Sequence, residues 1–109
     1  QESIGDCQVP NMATEMLARS RHIKVLTPSA TEPFGIDTES SNPTTESVLV
    51  QYRMENWDNP APPLENVPPA SDNGVHADMI FLDNVVEQAL HFLQFGETLQ
   101  TCDGPCDPD

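Results

Sequence analysis

The residues best suited to do chemistry lie in Asp72-Asn73-Gly74-Val75-His76. A histidine follows a Gly-containing turn, and an apolar, helix-periodic run at 84–95 lies behind it. Histidine is the side chain suited to take and return a proton near neutral pH. To do so it needs a carboxylate that fixes its tautomer, a strand that carries it and a nucleophile it can serve. Carboxylates are plentiful and a strand is legible. A framed nucleophile is not. A serine nucleophile on a sharp strand-to-helix turn is marked by Gly-x-Ser-x-Gly, and the chain has no such motif. Its nearest approach is Gln1-Glu2-Ser3-Ile4-Gly5, which lacks the first glycine and any preceding strand.

The elements that must position the histidine can be read in order. Gly5-Asp6 signals a turn, and Asn11 is placed as the cap of a helix at 12–21. Met12, Ala13, Met16 and Leu17 fall at helical spacing and are expected to pack. Arg19, Arg21 and His22 complement the dipole at the helix end, so His22 reads as a capping or surface residue. A short strand is expected at 23–26. Residues 27–46 are rich in Ser, Thr, Pro and acids and read as a long surface excursion. Residues 47–54 form the best strand, β-branched, aromatic and apolar in its first half, as in a buried parallel sheet.

Residues 56–69 carry five prolines and the only tryptophan, Trp57. Proline at that density resists helix and sheet. Trp57 is a candidate for lining a substrate mouth, set beside the role of pinning the loop to the body. In the final helix Asn84 with Glu87 makes a capping-box-like start. Val85, Val86, Ala89, Leu90, Phe92 and Leu93 are expected to be buried, with Glu87, Gln88 and His91 outward. Gly96 stands at the terminator position. The acidic tail after Leu99 reads as a surface extension. This order of strands and helices is α/β with crossover connections.

Composition narrows the function. Eighteen acidic residues against four basic ones give a net charge of −14. There is no basic footprint to neutralise phosphates, which argues against nucleic-acid binding. No stretch approaches the roughly 20 apolar residues of a membrane helix. Gln1-Glu2-Ser3 lacks the features of a signal peptide, so an export segment is expected elsewhere or to have been removed. Of three cysteines, Cys102 and Cys106 flank a Gly-Pro turn and suggest a local disulfide, hence a secreted or periplasmic protein. Zinc is the rival there, but two cysteines without a second pair make a poor site. Cys7 is left over. Asp103, Asp107 and Asp109 do not match the spacing of an EF-hand loop, so no metal or cofactor is expected.

Several of these residues resemble the C-terminal end of the α/β-hydrolase fold. Gly5-Asp6-Cys7-Gln8-Val9-Pro10 looks like the loop that carries the family's triad acid, with residues 11–19 as the helix after it. Residues 48–52 fit the last core strand, Asn73-Gly74-Val75-His76 the histidine loop and 85–95 the closing helix. The Gly-Asp-x-Gln-Val-Pro-Asn run also looks similar to segments of large secreted bacterial lipase- or esterase-like enzymes. The span from Asp6 to His76 is longer than the family usually shows, with 27–46 and 56–75 as loops added to the plan. Asp58 and Asp72 therefore stand as alternative acids.

The resemblance implies that residues 1–109 are one part of an α/β-hydrolase domain whose sheet is completed by a partner chain or N-terminal fragment. That partner would supply the serine, and the substrate would be a carboxylic ester of lipid or polyester type. His76 would be general base and Asp6 its orienting acid, with Ser3 ending the strand that delivers Asp6. The alternative is a non-enzymatic secreted acidic interaction module that uses its Pro-rich loop.

Overall fold

The computed structural model describes residues 1–54 and 66–107. Trp57, Asp58 and Asp109, with most of the Pro-rich loop, lie outside the described residues. The chain forms a small mixed α/β domain with parallel strands and three α-helices among the described residues. Strand β1 is Glu2–Ser3, followed by helix α1, Asn11–Ser20. Strands β2 (Lys24–Leu26), β3 (Thr38–Glu39), β4 (Val48–Leu49) and β5 (Gln51–Tyr52) come next. Helix α2 (Val75–Asp78), a 3-10 turn (Met79–Phe81) and helix α3 (Asp83–Phe95) complete the order.

The strands form two parallel sheets, one of three strands and one of two, which meet along residues 48–52. β4 and β5 are two halves of a run interrupted only at Val50. β4 pairs with β2, which pairs with β3, and β5 pairs with β1, all parallel. The lateral order is therefore β3, β2, β4/β5, β1. The Glu2 N–H donates to Val50 O and the Ile4 N–H to Tyr52 O, both at 2.8 Å. Residues 48–52 are the centre of the sheet because Leu49, Val50 and Tyr52 have apolar neighbours on hand. Leu26, Val50, Tyr52, Val85 and Cys106 make the core cluster, and Val48, Met79, Leu82 and Cys102 pack on it.

Both long helices turn a side inward that differs from the one most of their apolar residues predict, although Val85 of α3 is buried as expected. α1 buries Asn11, Glu15 and Ala18 and exposes Met12, Met16 and Leu17. α3 buries Val85 and Gln88 and exposes Val86, Leu90, Phe92 and Leu93. The cause is the polar strand edge beneath them. Gln88 Oε1 accepts from Gln1 Nε2 at 3.1 Å, and its own amide donates to Leu99 O at 2.8 Å. Asn11 bonds to β1 and the turn after it. Buried polar groups must be paired, and these pairings select the rotation of each helix. His91 is half-buried rather than outward, its ring 4.7 Å from that of Phe95.

Other sequence expectations are corrected too. The cap of α1 is Pro10, not Asn11, and α3 is capped at Leu82 with no side-chain cap from Asn84. Gly96 does end α3, at φ 71°, the left-handed conformation that a side chain disfavours. The 27–46 excursion contributes β3 to the sheet, and its Thr44 is buried and pairs with Thr98. The tail is likewise no surface extension. Cys106 is bonded to Cys102, with Cα atoms 5.2 Å apart, and is 1 % exposed against Tyr52. No helix among the described residues is long and apolar enough to cross a membrane. The disulfide is compatible with an extracellular location.

Candidate functional site

Two loops at the C-terminal ends of neighbouring parallel strands meet. One follows β1 and carries Asp6; the other follows β5 at a distance in sequence and carries His76. His76 Nδ1 and Asp6 Oδ2 are 2.7 Å apart, although the residues are 70 positions apart in the chain. An ionised carboxylate only accepts, so the proton of this bond belongs to Nδ1. Nε2 is then the ring nitrogen left to exchange a proton with a third group.

Asp6 is 6 % exposed and is held by its own turn. Its Oδ1 accepts the Gln8 and Val9 N–H groups at 2.7 and 2.9 Å. That leaves Oδ2 for the imidazole. His76 is more open, with 41 % of its side chain exposed. Its position is set by Val75, fully buried beside it, and by Gly74 at φ 78°. A side chain at Gly74 would strain the turn that starts α2.

Asp72 does not bond to His76. Its Oδ1 accepts from the Gly74 N–H at 2.9 Å and from the Cys7 thiol at 3.5 Å, and its Oδ2 from Gln8 Nε2 at 3.3 Å. The Gly74 N–H above all holds its carboxyl below the ordinary value. Asp72 therefore shapes the histidine turn, and Asp6 is the carboxylate that touches the ring. Desolvation and the hydrogen bond to Asp72 push the Cys7 thiol up. A reactive cysteine needs the opposite shift, so Cys7 is a donor here and not an activated nucleophile.

A cleft of about 240 Å³ opens beside the pair. Glu2, Ser3, Val9, Thr14, Met79 and Ile80 line it together with Asp6 and His76. Ser3 is 4 % exposed and its Oγ has no hydrogen-bond partner among the described residues. It lies within β1 rather than on a strand-to-helix elbow. Among the described residues no group of three or more potential ligands could hold a metal ion.

Sequence reasoning missed Glu2, Asn11 and Asn73. Asn73 and Gly74 signalled only a turn, and nothing in the pattern pointed to a reach across to another loop. Glu2 is 3 % exposed; its Oε2 accepts from Gln51 Nε2 at 3.0 Å, while Oε1 has no partner among the described residues. Burial, more than any other cause, raises its pKa. The folded state thus binds this proton more tightly than the unfolded chain, and stability falls as pH rises from the unfolded glutamate value of about 4.3 through the folded one. Glu2→Gln removes that penalty and is expected to stabilise the protein at pH 7 by about 1 kcal/mol. The gain should vanish below pH ~4. Urea midpoints of both proteins at the two pH values measure it, and equal midpoints at pH 7 would contradict it.

Comparison with protein-family models, with curated proteins and with solved structures found no match.

Proposed function

We propose that this chain is the acid- and histidine-bearing part of a serine hydrolase that cleaves carboxylic esters, of lipid or polyester type, by acyl transfer. The serine would lie on a partner chain or segment outside these 109 residues. One observation carries the reading: the 2.7 Å Asp6–His76 pair, built from loops at the same end of two adjacent parallel strands. The sequence resemblance to the back of the α/β-hydrolase fold supports it, because in that fold acid precedes histidine in the chain.

In this mechanism His76 Nε2 takes the serine proton as Oγ attacks the ester carbonyl carbon. Asp6 keeps the other ring proton on Nδ1 and stabilises the imidazolium. The imidazolium gives its proton to the leaving alcohol oxygen, and an acyl-serine remains. Water attacks the acyl carbon, His76 takes the water's proton, and the serine recovers it as the acid departs.

A non-enzymatic acidic interaction module is the second reading. It uses the Pro-rich loop at 56–69, and the outward Leu90, Phe92 and Leu93 of α3 add an exposed apolar face. A fluorophosphonate probe applied to the native material separates the two. The hydrolase reading expects label on a serine outside residues 1–109, found by intact mass and peptide mapping. Label on Ser3 would misplace the nucleophile, and no label on any chain would leave the interaction module.

A further inference from the structure

The acid turn and the histidine turn are joined by more than the Asp6–His76 contact. Gly5, one residue before Asp6, is held at both of its flanking peptide groups. Its N–H donates to Asn11 Oδ1 at 2.8 Å, and its carbonyl accepts from Asn73 Nδ2 at 3.0 Å. Asn11 Nδ2 also donates to Ser3 O at 2.7 Å. The Asn11 carboxamide thus bridges the Ser3 carbonyl and the Gly5 N–H, as the peptide of another strand would. Gly5 is buried with φ 78°, so its peptide is held in an orientation that a side chain would strain.

Asn73 works from the opposite side. It lies three residues before His76 and is half-buried. Its Oδ1 receives the Val75 N–H at 3.4 Å, which ties it to the start of α2. One carboxamide therefore touches both loops: the acid loop through Gly5 O, the histidine loop through Val75 N.

We propose that Asn73 is a positioning residue that locks the histidine turn onto the Gly5 carbonyl and thereby keeps Asp6 on Nδ1 of His76, with Asn11 bracing the preceding peptide through the Gly5 N–H from α1. This stands on the geometry of the pair and not on whether a serine is served. Without the Asn73 carboxamide the two loops are left with the Asp6–His76 contact, the exposed Asp72 contacts to Cys7 and Gln8, and the Asn73 backbone against the Cys7 thiol. A single contact to a 41 % exposed ring does not hold a tautomer against water as well as a fixed carboxylate does.

The test reads the ring directly. Imidazole nitrogen shifts of His76 in the full chain, taken with the ring neutral, report which nitrogen holds the proton. The wild type should show the Nδ1–H tautomer. Asn73→Ala should lose roughly half or more of that population to Nε2–H, the proton no longer being fixed by the carboxylate. Asn42→Ala is the control. Asn42 also spans two segments through its carboxamide, with Gln100 N donating to its Oδ1 at 2.8 Å. It should lower stability to a comparable degree and leave the His76 tautomer as in the wild type. A wild-type tautomer in Asn73→Ala, or an equal shift in Asn42→Ala, overturns the proposal. A second measurement needs no variant: a through-hydrogen-bond coupling from Asn73 Nδ2 to the Gly5 carbonyl carbon must be present in the wild type, and its absence also overturns it.

Discussion

Under the hydrolase function proposed above, replacing Asp6 with asparagine is expected to lower ester hydrolysis by the chain together with its proposed partner by about 10,000-fold, mostly in kcat. The reason is the tautomer and not the fold. An asparagine amide can donate to Nδ1 and hold the proton on Nε2, so the nitrogen that should accept the serine proton is already occupied. His76→Ala should fall at least as far, because it removes the base itself. Asp72→Asn is the informative comparison. Asp72 binds the Gly74 N–H, Cys7 and Gln8 and not the imidazole, so its loss should cost well under a tenth as much activity in terms of fold-change, about 10-fold. Steady-state rates on a short-chain ester, with circular dichroism to confirm folding, decide the matter. Equal losses in Asp6→Asn and Asp72→Asn would remove Asp6 from the role given to it.

Breaking the disulfide should have the largest effect on stability, and unequally at its two ends. The bond closes a short loop, for which chain entropy alone gives about 2 kcal/mol. Cys102 is half-buried at the edge of the core, so Cys102→Ser should cost little beyond that. Cys106 is 1 % exposed beside Leu26, Val50, Tyr52 and Val85. Its carbonyl accepts the Arg53 N–H at 2.8 Å. A serine there buries a hydroxyl among apolar groups, which adds about 1–3 kcal/mol. Cys106→Ser should therefore unfold at clearly lower urea than Cys102→Ser. Identical midpoints would mean that the tail contributes only its cross-link.

The ordering of strands and helices was legible in the sequence because it rests on local signals. Leu26 and the β-branched run at 48–52 marked the central strands, and Gly96 marked the end of α3. What escaped were properties set by distant partners. Apolar periodicity says which side of a helix is greasy, but the polar edge at Gln1, Glu2 and Gln51 decides which side faces in. β3 was missed because Thr38 and Glu39 sit in a Ser- and Thr-rich stretch with no alternation, and only pairing with β2 makes them a strand. At the candidate site, Asp6 and His76 could be picked out by their turns. Glu2 has no turn to mark it, and the Asn73 contact to Gly5 depends on a fold that brings residues 68 positions apart within 3.0 Å.

That sequence separation has a consequence in time. The Asp6 turn is made near the start of this stretch and His76 comes 70 residues later. At about 5–20 residues per second of synthesis, Asp6 precedes His76 by roughly 4–14 s. Over most of that interval β1 has no strand to lie against, since its partner Gln51 is itself 49 residues on from Glu2. α1 can form from neighbouring residues alone, whereas the paired loops must await closure of the long span, the slow class of folding event. A ribosome stalled between residues 53 and 75 would thus hold a chain with its Asp6 turn and central strands already made and His76 still to come.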